Sequence, residues 1–170
     1  MMPGNTSAQV CIVGCGRWLR GDDQAGLLVA QALAGAELPL VRVILTESPC
    51  GDLPAESDGV RLLIVVDAAK PAPGVSPGTW TRIDYRRRPE RIEPRQPAGD
   101  AHQLSVDAAL GLAEQLGTLP PAVWVYAVAL GHCDYGTELT PAVQGAVQEL
   151  TQRIPADIAA WRMEKGGPRA

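Results

Sequence analysis

Two acidic residues in succession, Asp22 and Asp23, follow Gly14-Cys15-Gly16, and the other side chains able to do chemistry are set at wide intervals after them. Asp67 closes the apolar run VRLLIVVD at 60–67, His102 comes two residues after Asp100, and the second histidine, His132, lies in Gly131-His132-Cys133-Asp134. Two ionised carboxylates brought close together repel, and a bound cation relieves the repulsion. With one imidazole they make a three-ligand site with open positions, suited to a borderline divalent metal such as nickel or zinc. Asp23, Asp67 and His102 are the candidate ligands and His132 is a competing one. Asp22 reads as the cap of the helix that follows. The glycines also invite a dinucleotide reading, but the third glycine of that fingerprint falls due at Leu19, and the acidic pair would repel a pyrophosphate at the helix N-terminus. Cysteines 11, 15, 50 and 133 contain no CxxC pair, so neither a zinc knuckle nor a thioredoxin-like motif is indicated. Cys15 and Cys50, near strand ends, are the two thiols placed to be reactive.

These residues need elements to position them, and the hydrophobic pattern supplies them. Residues 10–13 are apolar and largely β-branched, end on glycines and feed a helix over 24–33, which is the first βα unit of an open α/β sheet. Strands are expected at 41–46, 60–67, 79–84 and 123–130, with the continuous run at 60–67 buried on both faces as in a parallel sheet and Asp67 as its last residue. A short helix or turn is expected around 53–57, and a helix at 103–116 behind Asp100 as cap. The last helix opens with Thr140 as N-cap and Pro141 at its first position, runs to about Arg153 and is interrupted by Pro155. Strand and helix alternate throughout, so the fold class is α/β, a three-layer α/β/α sandwich around a mostly parallel five-stranded sheet. Such sheets bind ligands outside the carboxyl ends of their strands, where Gly14, Asp23 and Asp67 all fall.

A length of 170 residues supports one core, so residues 1–170 read as a single domain with frayed ends at 1–8 and 164–170. The net charge of −4 argues against a nucleic-acid partner. No run approaches a membrane span and residues 1–7 lack the features of a signal peptide, so a cytoplasmic, monomeric protein is expected. One basic island interrupts the acidic chain. Residues 85–97, YRRRPERIEPRQP, carry five arginines and three prolines, and read as a solvated loop or as a docking loop for an acidic partner.

Taken together, Gly14 to Gly26 (GCGRWLRGDDQAG), Val65-Val66-Asp67-Ala68, Pro77-Gly78 before a strand, Asp100-Ala101-His102 before a helix and Leu139-Thr140-Pro141 near the end resemble the hydrogenase maturation endopeptidases. The resemblance runs from Gln9 to about Leu150 in the family's order and spacing. It departs at Arg17, where the family has asparagine, and at Asp23, where it has glutamate. The resemblance implies an α/β/α protease that removes the C-terminal extension of the large-subunit precursor of a nickel–iron hydrogenase. It also implies that Asp23, Asp67 and His102 recognise nickel already carried by that substrate. Zinc or another divalent metal is the alternative ion. No Ser-His-Asp, Cys-His or HExxH arrangement is visible, so water is expected to attack the peptide bond, positioned by the substrate's metal or by Asp23 as an aspartyl-type base. A non-catalytic, metal-dependent chaperone of the same fold and a nucleotide-binding α/β protein are the rival readings.

Overall fold

The computed structural model describes residues 8–87 and 106–165. Five strands, β1 (Val10–Cys15), β2 (Val41–Thr46), β3 (Leu62–Ala69), β4 (Trp80–Asp84) and β5 (Ala122–Ala129), form one sheet in the order β2-β1-β3-β5-β4. All neighbours are parallel except β4, which runs antiparallel to β5. Parallel strands must be joined by crossovers, and α1 (Ala25–Gly35), α2 (Pro49–Glu56) and α3 (Val106–Gln115) precede β2, β3 and β5, with α4 (Pro141–Glu164) last. This is the expected α/β class with a mostly parallel five-stranded sheet.

Successive strand residues face opposite sides of the sheet, so each apolar strand feeds two cores. Ile12, Ile64 and Tyr126 pack with Val29 and Leu33 of α1 and Leu150, Ile154 and Trp161 of α4. Their neighbours Cys11, Val13, Leu63, Val65 and Val125 pack with Leu53 of α2 and Ala109 and Leu110 of α3. Burial on both faces is what the uninterrupted run at 60–67 required.

Several boundaries differ from expectation for identifiable reasons. Strand β3 continues two residues past Asp67, because Ala68 and Ala69 keep their pairing with Val128 and Ala129. Helix α4 passes straight through Pro155 as one 24-residue element. A proline removes one helical hydrogen bond, at a cost of about 3 kcal/mol. Leu150 and Ile154 before it and Ile158 and Trp161 after it are all buried in one core, so packing holds the helix on both sides of the break. A polar cluster around the buried Asp157 adds to this: Asp157 accepts from the Tyr126 hydroxyl (2.6 Å) and Arg153 Nε (2.9 Å) and pairs with Arg82 (3.1 Å).

The basic stretch is not open from its start. Tyr85 is buried in the α2/α3 core, and Arg86 donates to the carbonyl oxygens of Pro120 (3.0 Å) and Leu119 (2.8 Å) while pairing with Glu114. Residues 88–97, like Asp100 and His102, lie outside the described residues, as do 1–7 and 166–170.

Candidate functional site

Strand β1 sends the chain outward to β2, and the chain then returns to β3 on the other side of β1, so the topological switch point lies between β1 and β3. The crevice at their carboxyl ends is where such sheets bind ligands. Glycine seats α1 against it. A Cβ on Gly26 would collide with the carbonyl oxygens of Cys15 and Val66, and one on Gly14 would collide with Gly26 and the Ala30 methyl. The helix therefore starts directly over the crevice, and Gly26, the fourth glycine of residues 14–26, serves helix–strand packing.

Immediately before α1, residues Gly21–Gln24 form a 3-10 turn that packs against β3. Asp23 sits in this turn, 6% exposed. Its N–H donates to Arg20 O (3.1 Å), its carbonyl accepts from Arg17 N–H (3.3 Å), and Gly16 lies so close beneath that carbonyl that no side chain would fit. Asp67, 8% exposed, pairs with Ala127 in the ladder and, by the β1–β3 register, lies level with Cys15. Alternation puts it in line with Leu63 and Val65, on the side of the sheet that carries α2 and α3.

Two of the three expected ligands thus occupy adjoining elements at one edge. The third, His102, lies outside the described residues. Val106, four positions later, opens α3 at this same edge, because α3 descends to the amino edge before β5 begins there. Among the described residues no group of three histidine, cysteine, aspartate or glutamate side chains is disposed to hold a metal ion, so His132 does not complete a set with Asp23 and Asp67. His132 is instead half-exposed, with Nδ1 3.9 Å from Asp134, and its main chain is committed elsewhere.

That commitment is to Asp22, which does not cap the helix. Asp22 is fully buried. Its Oδ2 accepts from the N–H groups of Gly131 (2.7 Å) and His132 (3.1 Å), its Oδ1 accepts from Thr140 N–H (2.7 Å), and the Thr140 hydroxyl lies 2.9 Å from Oδ2. Burial pushes its pKa upward, but the donors of Thr140, Gly131 and His132 outweigh burial and hold the carboxyl below its ordinary value. Thr140 likewise makes no side-chain cap for α4, since its hydroxyl is turned to Asp22. Gln24, also missed, has a comparable role: Nε2 donates to Gly21 O (3.1 Å) and Gly136 O (3.3 Å), and Oε1 accepts from Leu19 N–H (3.2 Å). A carboxylate and an amide thereby fasten the β1–α1 loop to the β5–α4 loop, with Asp23 between them in sequence.

The thiols are ill-suited to attack. Cys15 is buried, and burial raises the Cys50 pKa, which keeps it protonated at neutral pH. The edge as described offers carboxylate oxygens, which accept hydrogen bonds, hold a divalent cation or orient a water.

Residues 53–156 match a family model described as hydrogenase maturation protease. A search of curated proteins found no match. Among solved structures, the hydrogenase maturating endopeptidase HybD from E. coli superposes with a TM-score of 0.72 at 20% identity, over 92% of this chain and 93% of that one. The nickel–iron hydrogenase maturation protease HycI from Thermococcus kodakarensis KOD1 gives 0.62 at 22% identity, over 88% and 91%. The hydrogenase 2 maturation peptidase from Thaumarchaeota archaeon SCGC_AB-539-E09 gives 0.62 at 20%, over 89% and 98%. At these identities the superpositions speak for the fold.

Proposed function

The chain belongs to the hydrogenase maturation protease family, and from that premise we propose that it cuts once near the C-terminus of a nickel-loaded large-subunit precursor of a nickel–iron hydrogenase, using Asp23, Asp67 and His102. The observation that carries this reading is the placement of two acids 44 positions apart in sequence, Asp23 and Asp67, both nearly buried on adjoining elements at the switch point. Carboxylates largely withdrawn from water on adjoining elements suit a divalent ion that arrives with ligands of its own. The nickel belongs to the substrate in this scheme, and Asp23, Asp67 and His102 recognise it. Asp23 also takes one proton from the attacking water as the C–O bond forms and the carbonyl carbon becomes tetrahedral, and it returns that proton to the amide nitrogen as the C–N bond breaks and the amine leaves. The family premise supports a cytoplasmic site of action, where a precursor would meet it; no helix among the described residues is long and apolar enough to cross a membrane.

Asp67→Asn is the direct test, since it keeps shape and removes charge. Incubated with the nickel-loaded precursor, the wild type should shorten it, read as a loss of mass at the C-terminus, and Asp67→Asn should not, while its melting temperature stays within about 3 °C of wild type, the scale of a sub-kcal change in a protein of this size. A fully active Asp67→Asn protein refutes the assignment. Binding without any mass loss by the wild type would leave a metal-dependent chaperone.

A further inference from the structure

Three exposed apolar side chains lie on the loops joined to the turn that carries Asp23. Leu19 is 45% exposed and Tyr135 78%, and Trp18 precedes Leu19 in sequence. Leu19 and Tyr135 come from segments 116 positions apart, joined by a parallel bridge between Arg20 and Gly136, by Gly136 N–H to Leu19 O (3.0 Å) and by Gly21 N–H to Gly136 O (3.0 Å). The Arg20 guanidinium stacks on the Tyr135 ring, 5.2 Å from its centroid.

Leu19 is held in the left-handed region, at φ 61°, which a branched side chain rarely adopts. Its N–H is taken by Gln24, the residue after Asp23. The loop thus keeps a leucine where glycine would rest without strain, and the leucine side chain is left in water. Gln24 on its N–H and the Gly136 N–H on its carbonyl hold that backbone, and strain held at a half-exposed position beside a candidate site recurs in ligand clamps.

We infer that Leu19, Arg20 and Tyr135 form a docking rim for the precursor segment that flanks the scissile bond, so that they set KM and substrate choice. This rests on the proposed cleavage at Asp23 and Asp67. The occupant follows from continuity: Leu19 is tied through Gln24 to the turn that carries Asp23, so the rim borders the place where the proposed scissile bond sits. It follows also from chemistry. Leu19 and Tyr135 offer apolar surface to side chains, and the Arg20 guanidinium over the Tyr135 ring supplies N–H donors for backbone carbonyls or a carboxylate of the bound segment.

Leu19→Gly separates docking from architecture, because it removes the side chain while suiting the backbone. With the nickel-loaded precursor as probe, Leu19→Gly and Tyr135→Ala should each raise KM about tenfold, the scale of one apolar side chain buried on binding. The kcat should stay within about twofold of wild type, since uniform binding is what is lost. The melting temperature of Leu19→Gly should equal or exceed that of the wild type. An unchanged KM, or a KM rise accompanied by a lower melting temperature, overturns the inference. If the wild type does not cut the precursor, the cleavage reading fails by itself. Equilibrium binding of the same precursor then decides: weaker binding by Leu19→Gly supports the rim, while equal or absent binding overturns it. Sedimentation showing a wild-type dimer that Leu19→Gly dissociates would assign the rim to a second copy of this chain and overturn it too.

Discussion

Asp22 and Asp23 are neighbours in sequence, and the surroundings of the Asp22 carboxylate assign that residue to the fold. Asp22 is spent on three backbone N–H groups and a hydroxyl from segments 109 to 118 positions away. Replacing it by asparagine turns an NH2 group toward those donors, so Asp22→Asn should lower stability by about 3 kcal/mol, the scale for charge-assisted buried bonds, measurable by urea titration. The pH dependence has a definite sign. The folded state holds this carboxyl below its ordinary pKa, so its contribution is complete above the unfolded value near 4 and disappears as pH falls through the folded value. Wild-type stability should therefore drop below about pH 4, and the Asp22→Asn curve should be flatter there. Two neighbouring arginines divide by their partners. Arg86→Ala strands the Leu119 and Pro120 carbonyls and should cost about 1 kcal/mol, whereas Arg87, 85% exposed with one pairing to Asp84, should change stability by less than about 0.5 kcal/mol. Nothing in the pattern of residues 85–97 separates these two, because the partners of Arg86 lie on α3 and the loop after it.

At the scale of elements, the period of the hydrophobic pattern made all five strands legible, with β2 falling where its run of VRVILT begins and ends. Helix α4 was legible at its start and not beyond Pro155, since the force that carries it through is tertiary. The same limit hid Asp157, an acid on a helix that meets Tyr126 from the middle of the sheet. Burial raises the Tyr126 pKa and the Asp157 carboxylate raises it further, so the phenol stays a donor across the physiological range. Tyr126→Phe should cost about 1 kcal/mol by losing one hydrogen bond, and Asp157→Ala about 2 kcal/mol, mainly by stranding the buried Tyr126 hydroxyl, since Arg82 and Arg153 reach solvent. In the double variant the costs should fall short of additive, because the phenylalanine no longer has a hydroxyl to strand, and a double-mutant cycle by urea titration measures that coupling.

For the molecule as a whole, one sheet serves both cores, so neither helical layer should come away alone. Far-UV circular dichroism, dominated by the α1/α4 side through the 24 residues of α4, and thiol labelling of Cys11, on the α2/α3 side, should report one coincident urea transition. Separate midpoints would mean that the layers are independent units. Asp23 and Asp67 could be placed at one edge from the sequence because the α/β topology fixes the edge at which such sheets bind ligands. The fastening of that edge by Asp22 and Gln24 was not readable, since loops distant in sequence carry no periodic signal. The reversed direction of β4 has a final consequence, one of reach. Asp84 pairs with Trp124 near the start of β5, so the chain leaves β4 at the amino edge and must regain the opposite edge before α3 can begin. Eight residues of β5 rise roughly 26 Å, a span that about eight extended residues cover, and the sequence allots positions 88–105 to it. Positions 88–105 number about ten more than an extended span of that length needs. Removing positions 89–94 should therefore leave the melting temperature unchanged and, under the proposed function, leave the precursor still processed, with that processing as the readout.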